Sequence, residues 1–228
     1  MKIAVLGTGM VGRALAGRLA GLGHNVVVGT RDVKRTLTRN DPGAIGPPPY
    51  AEWQRQHPDV RLVPFREAGT HAELVVNATA GAVSLDALEA VGKEHLAGKV
   101  LIDLAIPLDF SAGMPPRLIF ANSDSLGEQV QRAFPDTRVV KTLNTVFVEV
   151  MIDPARVPGR HNLFIAGEDT TAKNTVKGVL REFGWPEASL IDLGGIQAAR
   201  STEMYMPLYF SLWRVLGTFD FNIAVTRT

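Results

Sequence analysis

Not one cysteine occurs in the 228 residues. That excludes disulfides, thiolate nucleophiles and cysteine-ligated metals, and it fits a reducing cytoplasm. Charge of one sign is also missing. Lys and Arg number 24 against 23 Asp and Glu, for a net charge of +1. The balance gives no electrostatic case for nucleic acid or for an acidic partner. No apolar run approaches the roughly eighteen residues that suggest a membrane span. The N-terminus reads as a strand that enters the fold directly, not as a signal peptide. Internal repeats and long low-complexity tracts are absent. The five histidines (His24, His57, His71, His95 and His161) show no metal-ligand spacing, so no metal is expected. No Ser-x-x-x-Tyr-x-x-x-Lys acid arrangement occurs, and no pair of carboxylates is obviously placed for acid–base work. Glu203 reads as a structural partner for Arg200, three residues away on one helical face.

What is present is concentrated at the start. Lys2 to Leu6 is a short apolar strand, and Gly7-Thr8-Gly9-Met10-Val11-Gly12 fits G-x-G-x-x-G. Arg13 to Leu22 has helical apolar spacing, and Asn25 to Val28 is a second strand. In such a unit the first glycine permits a tight turn, the second admits a pyrophosphate to the backbone, and the third lets helix and strand pack closely. The helix start offers free N–H groups and the positive end of its dipole to the phosphates. Where an NAD-binding chain usually has an acidic residue for the ribose 2′-hydroxyl, this chain reads Gly29-Thr30-Arg31, and Asp32 comes late. Thr30 can donate to a 2′-phosphate, Arg31 can meet it with a planar fork, and Lys34 and Arg35 add charge. NADP(H) is therefore expected over NAD(H).

Strands and helices then alternate, the pattern of a parallel sheet covered on both faces. Strands are expected at 60–63, 74–78, 100–104 and 138–142, and helices at 85–95 and 125–133, the latter capped by Asp124 or Ser123. The segment Asp41 to Pro58, rich in proline and glycine, interrupts the pattern. It is expected to form neither helix nor central strand and to act as an ordered excursion or lid packed by Tyr50 and Trp53. The fold class is α/β, a doubly wound parallel sheet of Rossmann type, with residues 1–150 as the NADP(H)-binding domain. Residues 151–228 form a small C-terminal α/β appendage: a strand at 162–166, a helix at 170–183, a strand at 189–193 and a late helix at 196–216 that Pro207 kinks or restarts. The apolar weight of that last helix marks a subunit interface or a wall of the active-site cleft. Ligands of open sheets sit beyond the carboxyl ends of the strands, which selects Asn77, Ala78, Thr79, Leu143 and Asn144. Asn144 suits either orientation of the nicotinamide or the capping of its own loop. With no acid in sight, a hydride can still pass directly between two stacked rings that exclude water.

The chain resembles the NADPH-dependent F(420) reductase family, the NADP-dependent deazaflavin oxidoreductases, and their bacterial relatives. The resemblance covers most of the chain. It is carried by GTGMVGRALAGRLAGLGHNVVVGTRD within Met1–Asp32, VVKTLNTV at Val139–Val146 and DLGGIQAARSTEMYMPL at Asp192–Leu208. It implies hydride transfer between NADPH and a deazaflavin or flavin. Thr8, Gly9, Met10 and Val11 would contact the pyrophosphate, and Thr30, Arg31 and Arg35 would form the 2′-phosphate clamp. Asn77, Ala78 and Thr79 match the nucleotide-side loop, and Leu143 and Asn144 the nicotinamide-side loop. Gly194, Ile196, Met206 and Pro207 fall at the deazaflavin pocket and the part that forms a homodimer. The 41–58 excursion has no counterpart in compact members of the family and is expected over the acceptor site. Other readings stay open: a non-catalytic NADPH sensor or scaffold, or a reductase of a small carbonyl, imine, quinone or ferric substrate.

Overall fold

Alternate side chains of the central strands enter two different cores, which is what a sheet buried on both faces requires. Ile3, Val5, Val26, Val28 and Val76 join one cluster, while Ala4, Leu6, Val27 and Val75 join the other. In this computed structural model, which describes residues 1–40 and 48–226, ten strands are found among the described residues. They are β1 (Lys2–Leu6), β2 (Asn25–Thr30), β3 (Arg61–Pro64), β4 (Leu74–Asn77), β5 (Val100–Asp103), β6 (Leu108–Asp109), β7 (Arg117–Leu118), β8 (Arg138–Lys141), β9 (Leu163–Ile165) and β10 (Leu190–Asp192). The helices are α1 (Met10–Gly21), α2 (Val33–Thr38), α3 (Tyr50–Gln56), α4 (Phe65–His71), α5 (Ser84–Val91), α6 (Lys93–Leu96), α7 (Leu126–Ala133), α8 (Val148–Ile152), α9 (Thr170–Glu182), α10 (Ala199–Met204) and α11 (Met206–Leu216).

Six strands form one sheet in the order β3-β2-β1-β4-β5-β8, and every neighbouring pair is parallel. The order reverses between β1 and β4, the crevice where ligands of such sheets bind. The doubly wound expectation holds. Helices α1, α8 and α9 cover one face, and α4 to α7 cover the other.

The C-terminal strands β9 and β10 pair in parallel as a separate two-stranded sheet. An antiparallel bridge between Lys141 and Ala166 ties that sheet to the edge of the main one. Val176, Val179, Leu180, Phe183 and Trp185 pack in the same cluster as Ile3 and Leu15. Trp185 is buried, and its Nε1 donates to the Met151 carbonyl at 3.0 Å. Residues on both sides of position 150 thus share one core.

Three local expectations need correction. Residues 50–56 form a helix, because Pro49 stands before the first turn, where its missing N–H costs nothing. Residues 41–47, the first part of the expected excursion, lie outside the described residues. The helix expected over 85–95 is divided at Gly92, whose φ of 98° ends α5 and starts α6. Ser125, not Asp124 or Ser123, caps α7: its Oγ accepts from the Glu128 N–H at 3.2 Å and donates to the Glu128 carboxylate at 2.6 Å. The late helix restarts at Met206 with Pro207 in its first turn, as expected.

Candidate functional site

The turn after β1 is built by what its glycines lack. Gly7 has a φ of 116°, and a Cβ there would meet the Ala78 carbonyl at 2.6 Å. A Cβ on Gly12 would sit 2.1 Å from the Gly7 carbonyl, so α1 can start against β1 only with glycine there. A Cβ on Gly9 would meet nothing within 4 Å, which leaves open space above the backbone. The first turn of α1 has no acidic residue and no side-chain cap, so its leading N–H groups are available to an anion.

A cavity of about 620 Å3 opens over this turn. Gly7, Thr8, Gly9, Thr30, Arg31, Arg35, Ala78 and Thr79, all sequence candidates, line it. Four arginines (Arg13, Arg31, Arg35 and Arg39) and two aspartates (Asp32 and Asp86) line it as well, so its field favours anions. The basic corner has a defined frame. The Asp32 carboxylate caps α2 by accepting from the Arg35 N–H at 2.8 Å, and the Thr30 and Thr36 hydroxyls share a hydrogen bond of 2.9 Å. Asp32 is thereby engaged by its own helix, and Arg31 stands exposed at the rim.

Sequence reasoning missed Arg13 and Arg39. Arg13 Nε donates to the Thr8 carbonyl at 2.8 Å and its Nη1 donates to the Pro48 carbonyl, while its guanidinium lies 5.1 Å from the centre of the Tyr50 ring. Burial pulls the Arg13 pKa down and pushes the Tyr50 pKa up. Pro48, Pro49 and Tyr50 line the same cavity. Residues 48–50 of the 41–58 segment therefore lie over the glycine turn and the basic corner.

Other candidates lie behind or away from this cavity. Met10, Val11 and Gly12 belong to the start of α1. Asn77 is fully buried beneath Thr79 and bonds to it at 2.7 Å. Leu143 is buried with a φ of 65°, a conformation rare outside glycine. Beside it, Asn144 Nδ2 and Thr145 Oγ1 are buried without a hydrogen-bond partner among the described residues. Gly194, Ile196, Met206 and Pro207 have different surroundings. Ile196 is buried in the second cluster and Met206 in the third, because their apolar side chains gain more from burial than from lining a cleft. Gly194 and Pro207 keep exposed surface, and Pro207 lines a shallower cavity with Met114 and Arg117.

The expected Glu203–Arg200 pair does not form. Arg200 binds the Glu128 carboxylate through two bonds of 2.7 and 2.6 Å, and this partner lowers the Glu128 pKa. Glu203 turns inward. Its carboxylate accepts from the Leu126 and Gly127 N–H groups at 2.8 and 3.0 Å, and from Lys141 Nζ at 2.8 Å. Lys141 also donates to Asp103 at 3.0 Å. Burial opposes charge on Lys141, but the two carboxylates outweigh it and hold its pKa above the ordinary value.

Similarity to known proteins agrees with this geometry. The family model described as "NADP oxidoreductase coenzyme F420-dependent" matches residues 2–107. The F420-dependent NADP reductase of Methanothermobacter marburgensis is 32% identical over 216 residues, covering 93% of this chain and 92% of that protein. The chain belongs to this family. A candidate F420-dependent NADP-reductase from Arthrobacter sp. FB24, known as a crystal structure, is 53% identical, with a TM-score of 0.94 over 100% of both chains. Membership is thus not confined to the glycine turn, since these two relatives align with the C-terminal part as well. Metalloreductase STEAP3 of Rattus norvegicus is 28% identical over 94% of this chain, which spans 38% of that protein's length. This chain also shares its fold with more distant enzymes: an imine reductase from Aspergillus terreus has a TM-score of 0.62 at 18% identity over 95% of this chain and 62% of that one, a likeness of fold alone.

Proposed function

We propose that this chain is an NADP-dependent oxidoreductase that transfers a hydride between NADP(H) and a deazaflavin of the F420 type. The observation that carries the reading is the basic corner of Thr30, Arg31 and Arg35 on the same cavity as the Gly7–Gly12 turn, in a chain of this family. The N–H groups at the start of α1 hold the diphosphate, and Gly9 admits it because no Cβ blocks the approach. Arg31 and Arg35 bind the 2′-phosphate at the rim. The orphaned Asn144 amide, just past β8, orients the nicotinamide. NADPH supplies the hydride when bound, and the protein's part is to align two rings and keep water out. No side-chain acid is required of the protein for that step.

In this reading residues 1–150 hold NADP(H) and residues 151–228 complete the acceptor pocket, with Gly194 and Pro207 at its surface and Ile196 and Met206 supporting them from the core. The chain acts as a cytoplasmic homodimer. The apolar face of α11 supports pairing, for Leu208 is 54% and Val215 80% exposed. Among the described residues no helix is long and apolar enough to cross a membrane.

The test is a panel of acceptors mixed with protein and NADPH, read by loss of NADPH absorbance. Turnover with F420 and reversal with reduced F420 are expected. Turnover confined to a flavin, a ferric chelate or an imine would replace the acceptor. Binding of NADPH without turnover on any acceptor would favour a sensor.

A further inference from the structure

Below the cavity lies a set of polar groups with no slack in its hydrogen bonding. An ammonium has three protons and no acceptor. Those of Lys141 go to Asp103 Oδ2, to Glu203 Oε1 and to the Ala105 carbonyl, so Lys141 can only donate and Asp103 can only accept. Asp103 Oδ1 then takes one proton of the Asn77 amide at 2.8 Å, and Ser84 takes the other at 2.6 Å. Both amide protons point down, which turns the Asn77 carbonyl oxygen up. Thr79 Oγ1 donates to that oxygen at 2.7 Å. Its proton is thereby committed, and what remains for the cavity that Thr79 lines is the lone pairs of its oxygen.

We propose that the buried Asp103–Lys141–Glu203 cluster is a positioning device for the coenzyme site, setting the hydrogen-bond polarity of Asn77 so that Thr79 presents an acceptor to a ribose hydroxyl of the coenzyme. The inference rests on the NADP(H) reading above. An acceptor discriminates, because phosphate oxygens have no proton to offer it at neutral pH and ribose hydroxyls do. Lys141, Asp103 and Asn77 act through Thr79 and touch no ligand themselves. Glu203 holds Lys141 from the far side while it caps the start of α7.

Asp103→Asn tests the idea with nearly the same shape. Lys141 still requires an oxygen, so the new amide nitrogen faces Asn77. Asn77 then turns over, and its own nitrogen faces Thr79. The Thr79 hydroxyl must now accept from below and point its proton into the cavity. The readout is the ratio of Kd values for NADPH and for analogues carrying one hydroxyl of the nicotinamide ribose or the adenosine ribose as its methyl ether, which can accept a hydrogen bond but has no proton to donate. In the unaltered protein one of these analogues binds roughly two- to tenfold more weakly, the scale of one net hydrogen bond, and the affected analogue identifies the ribose. In Asp103→Asn and in Thr79→Val that ratio falls to about one, whereas Thr79→Ser keeps it. A merely structural role would weaken NADPH and the analogue together and leave the ratio alone. An unchanged ratio in Asp103→Asn overturns the proposal. Should that variant not fold, an unchanged ratio in Thr79→Val does so. Failure of the unaltered protein to bind NADPH removes the coenzyme reading and this inference with it; normal binding with an unaltered ratio in the variants removes only this inference.

Discussion

Replacing Arg31 with alanine separates a phosphate clamp from a decorative basic turn. Arg31 lines the cavity beside Thr30 and Arg35 but is exposed. A hydrogen bond to a charged group contributes about 1.5–3 kcal/mol. Exposure and salt screening bring that figure down, and Arg35 and Arg39 remain on the same wall. Arg31→Ala should therefore weaken NADPH by roughly five- to thirtyfold and leave NADH within about twofold. Adding Arg35→Ala should weaken NADPH further and bring the two coenzymes' affinities closer together. Fluorescence titration of both coenzymes at two salt concentrations measures it. The NADPH advantage should shrink as salt rises in the unaltered protein and shrink less in the double variant. Equal losses for NADPH and NADH would refute the clamp, since only one of them carries the phosphate.

The remaining predictions concern stability and assembly. Lys141→Met leaves two buried carboxylates without their cation, and should cost about 3–5 kcal/mol in chemical denaturation. Because its pKa is raised in the folded protein, the Lys141 contribution is full below its ordinary 10.5 and fades as pH rises through the higher folded value, so the gap between variant and parent should narrow in strong alkali. The hydrogen bonds that Arg132 donates, first of several causes, hold Asp124 down from its ordinary 3.8 to about 2. That contribution is present above pH 3.8 and is lost as pH falls towards 2, so Asp124→Asn should flatten this part of the acid melting profile; an unaltered profile would count against the pairing. Val215→Glu, on the exposed face of α11, should reduce the associated fraction in sizing chromatography without lowering the melting temperature. Trp213 is a poorer probe, because it stacks on Phe219 at 5.1 Å and its loss would disturb packing.

The glycine turn, the two strands around it and the basic corner were legible because each depends on neighbours in the chain. Unbroken apolar runs in β1 and β2 announce a sheet covered on both faces, and Gly7 and Gly12 are required where this strand and helix meet so closely. Helix α3 was misread because a run of prolines obscures the fact that the last of them, Pro49, can stand at a helix start. The cap of α7 was misjudged because the helix was expected to start at Ser125: it starts at Leu126, which leaves Ser125 as the extended residue before the first turn.

Sequence by itself determined that a nucleotide-binding βαβ unit opens the chain and that its second strand ends in positive charge, because turn geometry and strand periodicity are local properties. Tertiary structure alone decided which charges meet. Lys141, Asp103 and Glu203 stand on three elements far apart in the chain, and Arg200 found Glu128 across the fold instead of the Glu203 beside it on the helix. Such pairings follow from which groups are left in the dry interior once the sheet and helices have packed, where an unpaired charge is too costly to keep.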